Sequence, residues 1–157
     1  MTSDGYNMED ALVLNKGSVD RGLARSTYYR PYTSVELNYA GGLKDEITIP
    51  GKDVSGYRTE ESYRFLEPDG IVYPEAYLNA GDVVIGKITP PKFLSEVREI
   101  TIKTKKESSS VIRQGEEGIV DAVFVTEDGQ GNKVIRVRTR DQRIPELGDK
   151  FATSHGQ

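Results

Sequence analysis

Turn-forming residues interrupt this chain so often that long elements have little room. Gly41-Gly42, Pro50-Gly51, Pro68-Asp69-Gly70 and Pro90-Pro91 punctuate it, and glycine and proline end regular structure for steric reasons. The pieces between them are short and carry the two-residue alternation of strands. Residues 35–39, 46–49, 83–88, 97–103, 118–125 and 134–139 read as strands. The last two flank the loop 127–133, where Gly129 and Gly131 can supply positive φ, so they form a hairpin. One helical turn is expected over residues 18–23, with Ser18 as its N-cap and Asp20 in its first turn. A second helical piece is expected over 74–78. Residues 104–110 are polar and too poor in apolar groups to offset ordering entropy, so they read as mobile. The polar stretch 51–63 reads likewise, except where Val54, Tyr57 and Tyr63 can pin it. The fold class is mostly β, a β-rich α+β arrangement with long loops.

Composition then removes whole classes of chemistry. The 157 residues suit one modest domain. The absence of cysteine excludes disulfides, thiolate zinc sites and cysteine nucleophiles. A single histidine, His155, excludes multi-histidine metal cages and leaves any catalytic triad resting on one ring near the C-terminus. No apolar run approaches the ~20 residues of a membrane span, and the polar N-terminus is no signal peptide, so the chain reads as soluble and cytoplasmic. The net charge is −4, carried unevenly. Residues 1–78 hold 8 basic and 13 acidic side chains, whereas residues 79–157 hold 13 and 12. A free-standing nucleic-acid binder declares a basic excess, and this chain has none. Its positive charge does cluster, at Lys103, Lys105 and Lys106 and at Arg136, Arg138, Arg140 and Arg143. Solvated strand faces explain that pattern better than phosphate contacts.

Two further segments concentrate functional groups. Gly5-Tyr6-Asn7-Met8-Glu9-Asp10-Ala11 places adjacent carboxylates before the apolar run 11–14. In a strand the pair would face opposite sides, so both serve one site only if the backbone bends. Oxygen ligands of this kind suit a hydrated Mg2+. Gly148-Asp149-Lys150-Phe151-Ala152-Thr153-Ser154-His155-Gly156-Gln157 offers an ammonium beside small residues, a plausible phosphate contact, against the plainer reading of a frayed terminus.

These two segments, residues 14–23, and the blocks Tyr63-Arg64-Phe65-Leu66, Gly81-Asp82-Val83-Val84-Ile85-Gly86-Lys87, Gly118-Ile119-Val120-Asp121 and Arg143-Ile144-Pro145 together resemble one family. It is the second-largest subunit of multisubunit DNA-directed RNA polymerase, in an archaeal-type form related to the bacterial beta subunit. The resemblance runs in order over essentially the whole chain. It implies that residues 1–40 and 141–157 belong to an incomplete double-psi β-barrel and hybrid-binding core, the latter as return strand and motif. Residues 41–140 would be an inserted β flap, or wall, domain. It further implies accessory catalytic roles in DNA-templated RNA synthesis. Glu9 and Asp10 would face a second, nucleotide-associated Mg2+ through water. Lys150 would lie near the RNA 3′ end and the incoming nucleotide, with His155 and Gln157 in the same nucleic-acid-facing motif. Ser154 stands where the family commonly carries arginine.

In that family the aspartates that hold the permanent metal lie on the largest subunit. No Asn-Ala-Asp-Phe-Asp-Gly-Asp motif occurs here, so the Mg2+ is expected to be shared and the isolated chain to be silent. The implied partners are the other polymerase subunits, the largest above all, the RNA–DNA hybrid, a nucleoside triphosphate, and an initiation factor of the transcription factor B class. Tyr57, Tyr63, Tyr73 and Tyr77 are candidate aromatic anchors for that factor; no membrane is implied. Two other functions compete: an autonomous β-barrel module that binds protein or nucleic acid, and a small Mg2+-dependent phosphohydrolase using Glu9, Asp10 and Lys150.

Overall fold

A computed structural model describes residues 3–91 and 105–157. The strand expected at 97–103, and Lys103 with it, lies outside the described residues. The elements are helix α1 (Lys16–Asp20) and strands β1 (Ser26–Val35), β2 (Glu46–Ile47), β3 (Tyr77–Leu78), β4 (Val83–Ile85), β5 (Lys87–Thr89), β6 (Lys106–Glu107), β7 (Ser110–Val111), β8 (Gly118–Glu127) and β9 (Lys133–Arg143). Single 3₁₀ turns occupy Ala40–Gly42 and Glu60–Tyr63. The protein is mostly β, as its turn-rich sequence requires. It divides into two compact units, one formed by Met1–Tyr28 and Gln142–Gln157, the other by Tyr29–Asp141.

The Tyr29–Asp141 unit contains a hydrophobic core. The strands make a four-stranded sheet ordered β1-β9-β8-β3, a three-stranded sheet β2-β5-β6 and a two-stranded sheet β4-β7. Alternation along β9 buries Ile135, Val137 and Thr139 while Arg136 and Arg138 stay exposed. Ile135 and Val137 pack with Ile47, Ile71, Val72, Ala76, Leu78, Val84, Ile85, Ile112 and Val120. The expected β8–β9 hairpin forms, with Glu127 opposite Lys133. Asp128 organises its loop by accepting the Gln130 and Asn132 N–H groups on Oδ1, and Gly131 takes φ +78°.

Several local expectations are corrected. The first strand is β1, upstream of 35–39, although Pro31 sits in its middle. Even-numbered residues of β1 turn their backbone toward β9: Arg30 C=O accepts the Thr139 hydroxyl at 3.4 Å. The same register continues just past the strand, where Glu36 N–H donates to Lys133 C=O. Alternation therefore points Pro31 toward the open edge, where a missing N–H costs no ladder bond. Residues 74–78 are not helical, because Tyr77 and Leu78 pair with Ile119 and Gly118. The helix begins at Lys16, capped by Asn15, whose Oδ1 accepts the Ser18 N–H at 3.0 Å, so Ser18 is inside the helix rather than its cap. Residues 105–110 are ordered. Lys106–Glu107 pairs with β5, and the buried Glu107 carboxylate receives Arg58 at 3.5 Å and the Ser109 N–H at 3.2 Å. The polar stretch 51–63 is pinned as expected: Val54 and Tyr63 are buried, and the Tyr57 and Tyr63 rings stack at 5.3 Å.

Strand 83–88 is split at Gly86, where two glycines press on one backbone. Gly86 N–H donates to Gly70 C=O at 2.8 Å, and Thr48 N–H donates to Gly86 C=O at 3.2 Å. A Cβ on Gly70 would stand 2.6 Å from Thr48 Cα, and one on Gly86 would overlap the Thr48 carbonyl oxygen. We expect Gly86→Ala to cost about 2 kcal/mol through overpacking. Gly70→Ala should cost about 1 kcal/mol more, because Gly70 also takes φ +79°. Urea denaturation of both variants checks this ranking, and wild-type midpoints would show that the three segments do not approach so closely.

Candidate functional site

Glu9, Asp10, Lys150, His155 and Gln157 all lie in the unit formed by Met1–Tyr28 and Gln142–Gln157. At the N-terminal segment the backbone does bend. Tyr6 N–H donates to Ser3 C=O, and Ala11 N–H donates to Met8 C=O at 3.2 Å, so Glu9 and Asp10 form the corner of a tight turn. No strand begins there: residues 3–15 carry turns at 4–7 and 9–10 and no ladder. Glu9 takes φ +55°, a left-handed conformation that costs a residue with a Cβ about 1 kcal/mol. Both carboxylates are exposed, and neither has a hydrogen-bond or ion-pair partner among the described residues.

After β9 ends at Arg143 the C-terminal segment carries no further strand, yet it is not frayed. The Thr153 hydroxyl accepts the His155 and Gln157 N–H groups at 3.3 Å each. Gly156 N–H returns to Thr153 C=O, and Thr153 N–H donates to Gln157 C=O at 2.7 Å. Four hydrogen bonds thus close residues 153–157 into a loop, leaving the His155 and Gln157 side chains exposed. Lys150 lines a cleft of about 250 Å³ with Ser26, Arg143, Asp149 and Phe151.

Sequence reasoning missed Asp149. Its carboxylate accepts the Glu146 N–H at 3.0 Å and also pairs with the Arg143 guanidinium. The Glu146 N–H, and after it Arg143, hold its carboxyl below the usual aspartate range. The partner six residues upstream fits no standard spacing, so no signal in the sequence singles Asp149 out.

Two more arginines of the basic cluster are engaged by acids, while Arg136 stays exposed on β9. Arg138 reaches Asp121 at 2.6 Å and lies over the Tyr29 ring, 5.1 Å from its centroid. Arg140 bridges Glu75 at 2.7 Å and Asp121 at 3.2 Å. For Arg138 and Arg140 this agrees with the solvated-face reading, since charges so paired are not presented to phosphate. Among the candidate anchors, Tyr63 is buried and Tyr57 stacks on it, whereas Tyr73 and Tyr77 are exposed.

The donor set defines what a divalent cation would meet. Glu9 and Asp10 offer oxygen donors only, the chemistry of Mg2+. No group of three His, Asp or Glu side chains among the described residues could hold an ion. The pair by itself would fit a Mg2+ that keeps most of its water ligands. No helix among the described residues is long and apolar enough to cross a membrane.

The family described as RNA polymerase Rpb2, domain 6, matches residues 1–157. The chain is 51% identical over 158 residues to "DNA-directed RNA polymerase subunit Rpo2" of Sulfolobus acidocaldarius, covering all of this chain and 14% of that protein. It is 50% identical to the protein of the same description from Saccharolobus solfataricus, again over all of this chain and 14% of the relative. It is 39% identical over 155 residues to "DNA-directed RNA polymerase II subunit RPB2" of Schizosaccharomyces pombe, covering 98% of this chain and 13% of that protein. The chain thus spans about one seventh of the length of these relatives. It belongs to the RNA polymerase Rpb2 domain 6 family.

Proposed function

We propose that this chain contributes to DNA-directed RNA synthesis as part of a polymerase second-largest subunit, in the cytoplasm. In this reading Glu9 and Asp10 act on the second, nucleotide-associated Mg2+ through its water ligands. Lys150 contacts phosphate oxygens near the RNA 3′ end and the incoming nucleotide, with His155 and Gln157 facing nucleic acid beside it. The observation that carries the reading is the joining of two chain ends in one compact unit. Residues 9–10 and 150–157 belong to it, although the whole Tyr29–Asp141 unit separates them in sequence. Phosphoryl transfer needs positioned charge around Mg2+ more than covalent chemistry from the protein. Carboxylates toward a hydrated metal and an ammonium toward phosphate supply such charge. The Mg2+ itself would neutralise phosphate charge, with its tight ligands on the largest subunit.

Residues 41–140 are proposed as the flap, which carries a docking face for an initiation factor of the transcription factor B class. Tyr73 and Tyr77 are the exposed members of its candidate tyrosine anchors. The RNA–DNA hybrid and the largest subunit complete the site.

The test is made in the full-length subunit assembled into polymerase. Glu9→Gln with Asp10→Asn removes both charges at constant shape and should raise the Mg2+ concentration for half-maximal nucleotide addition about tenfold, the scale of losing outer ligands to a metal. An unchanged Mg2+ dependence would remove these residues from the metal's surroundings. Mg2+-dependent turnover by the isolated chain, abolished by Asp10→Ala, would point to the phosphohydrolase instead.

A further inference from the structure

Lys150 follows an aspartate directly, yet no carboxylate pairs with it among the described residues. The reason lies in what Asp149 already holds. One carboxylate oxygen pairs with Arg143 at the end of β9, and the other accepts the Glu146 N–H at 3.0 Å. The Asp149 N–H donates back to Glu146 C=O at 3.2 Å, so the turn 146–149 is closed reciprocally. Gly148 takes φ +95°, which a residue with a Cβ adopts only at a cost. The same aspartate thus fastens the turn to the end of a paired strand and is withdrawn from its lysine neighbour.

We propose that the Arg143–Asp149 pair is a positioning device for Lys150, fixing the base of its side chain and leaving its ammonium unpaired for a phosphate group of the substrate. The proposal rests on the reading of Lys150 as a phosphate contact. Asp149 and Arg143 touch no substrate in it; they act through Lys150. A guanidinium suits the task better than an ammonium, because its rigid fork fixes the direction of the carboxylate it holds. Asp149 is held ionised by the Glu146 N–H and Arg143, so the pair persists across the neutral range.

The experiment is single-nucleotide addition by polymerase assembled with the full-length subunit, across nucleotide concentrations, for Asp149→Asn, Arg143→Gln, Lys150→Ala and the double variants. Asp149→Asn and Arg143→Gln should each lower kcat/KM about tenfold, chiefly through a higher KM, as expected when a binding group is misplaced by a fraction of an ångström. Arg143→Lys should recover part of the loss. In the Lys150→Ala background, Asp149→Asn should add nothing, a non-additivity that a purely structural role would not produce. A full additional loss in that background, or wild-type kinetics for Asp149→Asn beside an impaired Lys150→Ala, would overturn the positioning role. Wild-type kinetics for Lys150→Ala would instead overturn the phosphate assignment on which it rests. Arg143→Gln runs the same cycle from the other side of the pair, so one variant failing to assemble does not end the test.

Discussion

Replacing Lys87 with methionine should destabilise the Tyr29–Asp141 unit by about 3–5 kcal/mol, the cost of leaving a buried charge without its partner. Asp45 is completely buried, and its Oδ2 lies 2.9 Å from Lys87 Nζ. That contact is electrostatic rather than a well-aimed hydrogen bond, since Oδ2 has no hydrogen-bond partner. Oδ1 accepts the Tyr39 hydroxyl at 3.1 Å, and burial, then this bond to Asp45, raises the Tyr39 phenol above its ordinary range. Methionine keeps the length and apolar stem of Lys87 but removes the cation. It also takes the donor from Val35 C=O, which Lys87 Nζ reaches at 3.1 Å on the open edge of β1. Domains of this size are stable by about 5–15 kcal/mol, so the variant should unfold at a much lower urea concentration. Asp45→Leu combined with Lys87→Met should cost less than Lys87→Met alone, because no orphan charge remains. A single-variant loss below about 1 kcal/mol would mean that water reaches Asp45.

How much of this was legible in sequence depended on whether the deciding contact was local. The β8–β9 hairpin was readable because alternation, two loop glycines and Asp128 all act within a few residues. The choice between Asn15 and Ser18 as helix cap was not, since both side chains cap well and only the Asn15 Oδ1 bond to Ser18 N–H separates them. β1 was hidden by Pro31, which argues against a strand unless the strand is known to lie at an edge. Residues 74–78 were misread because their pairing with β8 comes from about forty residues downstream. Lys106–Glu107 reads as solvated until Arg58 is brought to it. The site divides the same way. Glu9, Asp10 and Lys150 stood out by residue type and by family resemblance. The left-handed turn at Glu9 and the grip of Arg143 on Asp149 did not, because the first is rare for glutamate and the second has no periodic spacing.

The second large effect concerns the unit that holds those candidate residues. Not one described residue of Met1–Tyr28 or Gln142–Gln157 is buried, although Tyr6, Met8, Leu12, Val13, Leu14, Leu23, Ile144, Leu147 and Phe151 are all there. Leu12 is 62% exposed and Leu147 fully so. Apolar surface of that extent in contiguous segments marks an interface, and it leaves turns held by hydrogen bonds with no burial beneath them. Such bonds open at almost no cost in free energy, whereas bonds around a core open only with global unfolding. In hydrogen exchange of the isolated chain, the turn amides of Tyr6, Ala11 and Asp149, which donate to Ser3, Met8 and Glu146, should therefore exchange close to unstructured rates. Those of Val84, Val120 and Val137 should be slower by a factor on the order of 10³ or more. In polymerase assembled with a subunit of the relatives' full length, the same turn amides should gain protection as the other six-sevenths or so of that length and the other subunits cover them. Equal protection of both sets in the isolated chain would show that the turns at Glu9 and Lys150 stand without neighbours. The expected contrast would make the site's geometry a property of the assembly, with Asp149 and Arg143 contributing the local part of it.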